Sequence, residues 1–96
     1  MNESDIGLDD KAQAISLLAL AFIANRPQLL QGLFQYSGVT LDDLKPGITD
    51  PEFLGGILDF LLQGDKHISE FCEETAVSLE ELRAARQKLP GWTEPY

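Results

Sequence analysis

Two short stretches, SGVTLDDLK at residues 37–45 and TAVSLEELR at residues 75–83, decide the fold of this 96-residue chain. They are related by an offset of 38 positions, from Ser37 to Thr75, and each has the pattern of a tight turn followed by a capped helix. Three apolar residues are identical in the two stretches: Val39, Leu41 and Leu44 recur as Val77, Leu79 and Leu82. Extended backwards without a gap, the same offset places Phe22 on Phe60 and Leu33 on Phe71. The chain therefore contains an internal repeat.

A period of this length is typical of helical repeat units, each of which needs a neighbour to bury its apolar face. Two copies are too few for a solenoid, and no segment alternates as a strand does. The sequence predicts an all-α fold: a compact bundle of about six helices built from two pseudo-symmetric three-helix repeats. We expect one helical domain over residues 1–96. Its repeats cover about 12–46 and 50–89, with tails at 1–8 and 90–96.

Capping residues recur at the offset as well. Thr40 with Asp43 forms a near-capping box and Ser78 with Glu81 a full one, so each pair predicts the start of a helix. Gly38 is suited to the left-handed position that ends the preceding helix.

Prolines and acidic residues predict further helix starts. Pro27 and Pro51 are placed to open helices, the second after an Asp50 cap. Gly64 is expected to end the helix that Pro51 opens, and Asp65 is expected to cap the helix that follows.

The first helix, with AISLLALAFIA at residues 14–24, is apolar on two sides. One side consists of Ile15, Leu18, Ala19 and Phe22, and we expect it to pack against the helix at 53–62. The other side contains Leu17, Leu20 and Ala24. It either packs on the short helices or forms a surface for a homodimer or another partner.

The helix at 53–62 has two notable features. Gly55-Gly56 lowers helix propensity, which predicts a close helix crossing at that point, or alternatively a hinge. One functional hypothesis is a small-ligand pocket between the two halves of the chain, near these glycines. Asp59 lies opposite the apolar arc and is predicted to be solvated.

The charge balance is strongly acidic, with 16 Asp plus Glu against 7 Lys plus Arg and a net charge of −9. Such a chain repels nucleic-acid phosphates and attracts basic proteins. The alternative is that the acidity only keeps the protein in solution.

The two stretches also resemble the turn and second helix of a helix-turn-helix DNA-binding motif. The base-contacting positions, however, carry Leu41-Asp42-Asp43 and Leu79-Glu80-Glu81, which face phosphates unfavourably. Only Arg83, Arg86 and Lys88 supply positive charge nearby, and they are the candidate DNA contacts of this alternative. A nucleic-acid partner is therefore not expected.

Metal and enzyme sites are not expected either. The single cysteine, Cys72, excludes an internal disulfide and a Cys-based zinc site. His67, Glu70 and Glu74 share a helical face and are a possible metal corner, although a solvated face is the simpler interpretation. Cys72 is interpreted as a small core residue. No phosphate loop or Ser–His–Asp set can be assembled, so we expect no catalytic residue, cofactor or metal.

The ends of the chain give further expectations. In the tail LPGWTEPY at 89–96, Trp92 either folds back between helices or, with Tyr96, forms an exposed partner segment. The longest apolar run, LLALAFIA at 17–24, is shorter than the roughly 20 residues that span a bilayer. The start MNESDIGLDD lacks the basic region of a secretory signal, which predicts a cytoplasmic location.

The whole chain resembles an uncharacterised family of small all-helical bacterial proteins, a domain of unknown function. The matching features are AISLLALAFIA, GVTLDDLKPGI, DPEFLGGILDFLL and the closing LPG, from Lys11 to Gly91. The resemblance implies a single all-α domain in a bacterial cytoplasm and brings no activity or ligand. We therefore expect a non-enzymatic protein-interaction or adaptor module, the alternative being a helix-turn-helix protein linked to transcription.

Overall fold

Caps, prolines and tight turns divide the chain into six helices in the computed structural model, which describes residues 10–89. In chain order they are α1 (Asp10–Ala24), α2 (Pro27–Ser37), α3 (Leu41–Gly47), α4 (Pro51–Leu61), α5 (Asp65–Thr75) and α6 (Leu79–Gln87). The described residues contain no strand. The predicted all-α fold with six helices is confirmed.

Most of the predicted helix ends are where the sequence places them. Pro27 and Pro51 are the first residues of α2 and α4, and the Asp50 carboxylate accepts the Glu52 N–H at 3.0 Å. The prediction for α5 is wrong at its cap. Asp65 is the first helical residue and Gly64 the residue before it, which makes no side-chain cap. The Asp65 carboxylate is still favourable there, because the first turn carries the positive end of the helix dipole.

The turns after α2 and α5 have the same local geometry. Gly38 has φ 75° and its counterpart Ala76 has φ 63°, both in the left-handed region. In each turn a hydroxyl at the helix end donates to a carbonyl four residues back, at 2.7 Å: Ser37 to Leu33, and Thr75 to Phe71. The next helix begins with a backbone N–H bonded to a carboxylate at 2.9 Å: Thr40 to Asp43, and Ser78 to Glu81. The turns thus recur, while a pseudo-symmetric relation between the two halves stays a prediction.

Helix α1 lies at the centre of the bundle. It packs against α4, as predicted, and also contacts α2, α5 and α6. Phe22 of α1 meets Phe71 of α5 edge to face, with ring centroids 5.5 Å apart. The core is formed by the buried apolar residues Ala12, Ile15, Ala19, Phe22, Ile23, Leu33, Leu54, Ile57, Leu58, Leu61, Phe71, Leu82, Ala85 and Leu89. Burial of each large side chain contributes about 1.5–3 kcal/mol.

The close approach predicted at Gly55-Gly56 is wrong for Gly56. Gly55 is buried, but a Cβ placed on Gly56 would have no neighbour within 4 Å. The tight contact is instead between α3 and α4, where a Cβ on Gly47 would lie 2.6 Å from the ring of Phe53.

Candidate interaction surface

The outer face of α1 is apolar and open to solvent. Its exposed apolar residues recur at intervals of three and four positions and form one stripe, hereafter the α1 stripe: Ala14, Leu17, Leu18, Ala21 and Ala24. Leu17 is 37% and Leu18 43% exposed. At 1.5 Å per residue the stripe is about 15 Å long.

The structure separates the residues predicted to form a partner surface. Leu17 and Ala24 lie on the α1 stripe, whereas Leu20 is half-buried and packs against the core. Trp92 and Tyr96 lie outside the described residues, so the two interpretations of the tail both stay predictions.

Leu18 was expected on the core face, and that prediction is wrong. The buried arc of α1 is centred on Ala19 and includes Ile15 and Phe22. At about 100° per residue Leu18 and Leu20 fall on opposite edges of this arc. The helices packed around α1 cover the Leu20 edge and leave Leu18 exposed.

Other exposed apolar side chains do not share one helix face. Tyr36 is on α2, Leu79 is the first residue of α6, and Leu41 and Ile48 lie at the two ends of α3. Single exposed apolar residues of this kind are normal on protein surfaces. The α1 stripe differs because its residues are contiguous along one helix.

The basic residues of α6 have different environments. Arg83 and Lys88 are exposed, but Arg86 is only 3% exposed. The prediction that Arg86 offers its charge to DNA is wrong, because its guanidinium is used inside the bundle. It donates to both carboxylate oxygens of Asp59, at 2.5 and 2.9 Å, and to the Leu89 carbonyl at 3.2 Å.

Asp59, predicted to be solvated, is only partly so, because Arg86 engages its carboxylate. Its side chain remains 38% exposed, but its carboxylate closes a bidentate ion pair between α4 and α6. Arg86 shares an apolar face with Leu82 and Leu89, four residues before and three after it. An arginine on such a face needs an acidic partner, and this signal predicts an ion pair without identifying its carboxylate.

A second arginine also ties helices together. Arg26 donates to the Phe22 carbonyl at 3.1 Å, and its guanidinium lies 3.8 Å from the centre of the Phe22 ring. It also pairs with Glu74 of α5 at 2.5 Å. These contacts fix the end of α1 against α5.

The residues considered for metal or thiol chemistry have ordinary settings. Among residues 10–89, no three His, Cys, Asp or Glu side chains converge to hold a metal ion. Burial raises the pKa of the Cys72 thiol, which packs against the core as predicted. At neutral pH the thiol is therefore protonated and weakly nucleophilic.

An open groove of about 670 Å³ lies between α5 and α6, with Ile68, Cys72 and Leu79 on its wall. All of its lining residues belong to the second repeat, between positions 65 and 83. It is therefore a different place from the pocket predicted between the halves at Gly55-Gly56.

The described residues thus define a small all-helical protein with an apolar outer face on its central helix. Within residues 10–89, no helix has the length and hydropathy needed to cross a bilayer. The chain belongs to the family described as "Protein of unknown function (DUF3572)", whose sequence model matches residues 9–92. The predicted membership of an uncharacterised family is confirmed, while a bacterial origin stays a prediction. Comparison with curated proteins and with solved structures gave no match.

Proposed function

We propose that this protein is a non-enzymatic protein-interaction module whose interface is the α1 stripe. The observation that carries the proposal is the exposure of Leu17 and Leu18, with alanines on both sides, on the helix that also holds the core together. Contiguous apolar surface of this kind is characteristic of interaction sites.

The size of the stripe sets the kind of binding. A surface about 15 Å long and one helix wide buries roughly 300–400 Å² on each side, about half of the 800 Å² of a standard interface. Binding through the stripe alone is therefore weak and reversible, with a dissociation constant in the micromolar range or above. A tighter partner has to extend its contacts beyond α1.

Three acidic side chains have structural roles within the bundle. The acidic groups Asp59, Glu74 and Glu81 are engaged by Arg86, Arg26 and Lys11, respectively, in contacts that join helices. The net charge of −9 attracts basic partners at long range, but the α1 stripe itself contains no charged residue. The proposal places the module in the cytoplasm, where a lone thiol such as Cys72 stays reduced.

Duplex DNA is not the proposed partner. Only Arg83 and Lys88 present positive charge on the outer surface of α6, and Glu80 is exposed beside them. A DNA-binding surface needs several cations facing phosphates, and two beside a carboxylate supply little affinity.

The test is affinity capture from the native lysate with two matched variants, Leu18→Glu and Leu41→Glu. Both change an exposed leucine and add one negative charge, but Leu41 lies on α3, away from the stripe. We expect the Leu18 variant to lose bound polypeptides and the Leu41 variant to retain them, with or without nuclease. Equal capture by both variants would contradict the proposal, and partners lost on nuclease treatment would favour the helix-turn-helix alternative.

A further inference from the structure

We propose that the α1 stripe pairs with a second copy of this chain, in an antiparallel arrangement whose twofold axis passes between Leu17 and Leu18. This inference rests on the proposed function, because it takes the stripe to be an interface. It adds the identity and the geometry of the occupant.

The exposed residues of α1 are arranged symmetrically about that midpoint. They are Asp10, Lys11, Ala14, Leu17, Leu18, Ala21 and Ala24, and the exposed Asn25 continues the helix through its N–H bond to the Ala21 carbonyl at 3.1 Å. Each residue before the midpoint has a counterpart equally far after it: Asp10 with Asn25, Lys11 with Ala24, Ala14 with Ala21, and Leu17 with Leu18.

The chemistry of these pairs makes the face complementary to itself. Any helix face has this geometric symmetry. Here leucine meets leucine and alanine meets alanine at the centre of the face, whereas Lys11 meets Ala24 towards its ends. The leucines of both copies would form one central apolar cluster, and Ala14 would face Ala21 on either side of it. Small side chains at these positions let two helices approach to the lower end of the usual 8–10 Å separation.

The polar ends of the face favour the antiparallel direction. In that arrangement the Asn25 amide of one copy lies opposite the Asp10 carboxylate of the other, and the twofold axis makes this contact twice. A parallel pair would instead place Asp10 against Asp10 and Lys11 against Lys11. The Asp10 contact is repulsive because it brings two like charges together, whereas each Lys11 is paired with Glu81 of its own chain at 3.0 Å.

Charge outside the stripe gives the association a characteristic salt dependence. The exposed face of α1 is itself balanced, with Asp10 and Lys11 as its charges, but each copy carries a net charge of −9. Two such copies repel each other through charges distant from the contact, and salt screens that repulsion. We expect the dimer to tighten several-fold between about 0.05 and 0.5 M salt. Binding to DNA or to a basic protein would weaken over the same range.

Two measurements on the full chain test this inference. The first is sedimentation equilibrium at up to about 0.5 mM protein, a range set by the small contact area, for the native chain, Leu18→Glu and Leu41→Glu. The second is disulfide trapping in a Cys72→Ala background with Ala14→Cys and Ala21→Cys, both at exposed sites that leave the core intact.

In the antiparallel pair, position 14 of one copy lies opposite position 21 of the other. Two copies of position 14 are then displaced along the helix by about 10 Å, too far for a disulfide. We therefore expect a mixture of the two single-cysteine chains to form a mixed disulfide, and each chain alone to form none.

Each outcome decides between the two proposals. A salt-strengthened dimer that Leu18→Glu abolishes, with mixed trapping only, supports the antiparallel pair. Trapping of Ala14→Cys with itself, or a dimer unaffected by Leu18→Glu, overturns it. A chain that stays monomeric while capture still depends on Leu18 overturns the homodimer and leaves the proposed function standing. If the chain stays monomeric and capture does not depend on Leu18, the proposed function is overturned as well.

Discussion

Helices α1 and α4 correspond at the 38-residue offset and pack against each other, but their outer faces carry different residues. The α4 residues that correspond to Leu17 and Ala21 are Gly55, which is buried, and Asp59, which pairs with Arg86. In α1 the same face carries apolar side chains that remain open to solvent.

The helices that follow the two turns, α3 and α6, also differ in length and in their contacts. Helix α6 continues to Gln87 and so brings Arg86 onto α4, whereas α3 ends at Gly47 after Pro46. Proline removes a backbone donor and clashes with the preceding turn, so it limits the extension of α3. At the same offset the position of Arg86 corresponds to Ile48, an exposed apolar residue directly after α3, which has no charge to pair with α1.

The largest difference in stability is expected between a variant at a buried leucine of α4 and a variant at an exposed leucine of α1. Leu58 is fully buried and Leu18 is 43% exposed. We expect Leu58→Ala to lower the free energy of unfolding by about 2–5 kcal/mol, because it leaves a cavity. We expect Leu18→Ala to cost about 1 kcal/mol or less. Urea denaturation measures both, and equal costs would show that the α1 face is not open.

A smaller loss of stability is expected when the ion pair between α4 and α6 is broken. Asp59→Asn leaves the Arg86 guanidinium buried without its counter-charge, which costs about 2–3 kcal/mol after allowance for the exposure of Asp59. The double variant Asp59→Leu with Arg86→Met removes both charges and should recover most of that stability. A double variant as unstable as Asp59→Asn would argue against the ion pair as the cause.

Exchanging glycine and alanine in the two turns is expected to change the stability in opposite directions. Ala76 has φ 63° and Gly38 has φ 75°, a region that costs a residue with a Cβ about 1 kcal/mol. We expect Ala76→Gly to stabilise the protein by about 0.5 kcal/mol and Gly38→Ala to destabilise it by about 1 kcal/mol. Thermal unfolding of the two variants checks both directions. A loss of stability in Ala76→Gly would contradict the left-handed geometry.

The cap of α6 should have a small effect that depends on pH. The bond from the Ser78 N–H, followed by the Lys11 ion pair at 3.0 Å, lowers the pKa of Glu81. Because the folded pKa lies below the unfolded one, the contribution is present above the unfolded pKa and is lost as the pH falls through the folded pKa. NMR titration measures the pKa of Glu81, and unfolding of the native chain and of Glu81→Gln at several pH values measures its contribution to stability. A Glu81 pKa equal to that of the unfolded chain would exclude this contribution.

Local structure was readable from the sequence because single residues encode it. Thr40 and Ser78 mark the starts of α3 and α6, and Gly38 the left-handed end of α2. The prediction that Asp65 caps α5 was wrong because an acidic residue suits both the cap and the first turn of a helix. The sequence does not distinguish these two positions.

The candidate interface was only partly readable. Periodicity shows which residues of α1 share a face, but it does not show which neighbouring helix covers the edges of that face. For this reason periodicity places Leu18 on the core face and leaves open whether Leu20 packs on the short helices or lies on the surface. The Asp59–Arg86 pair was missed because it joins residues 27 positions apart, and such a pair depends on how α4 and α6 pack.

The central claim is that the α1 stripe binds another polypeptide, and methyl NMR tests it most directly. Spectra of the leucine-labelled full chain are compared at low concentration, at high concentration and after addition of native lysate. The account predicts that the Leu17 and Leu18 methyl signals shift or broaden while those of Leu41 and Leu79, exposed on other helices, stay unchanged. Unchanged Leu17 and Leu18 signals under all conditions, or changes confined to Leu41 and Leu79, would contradict it.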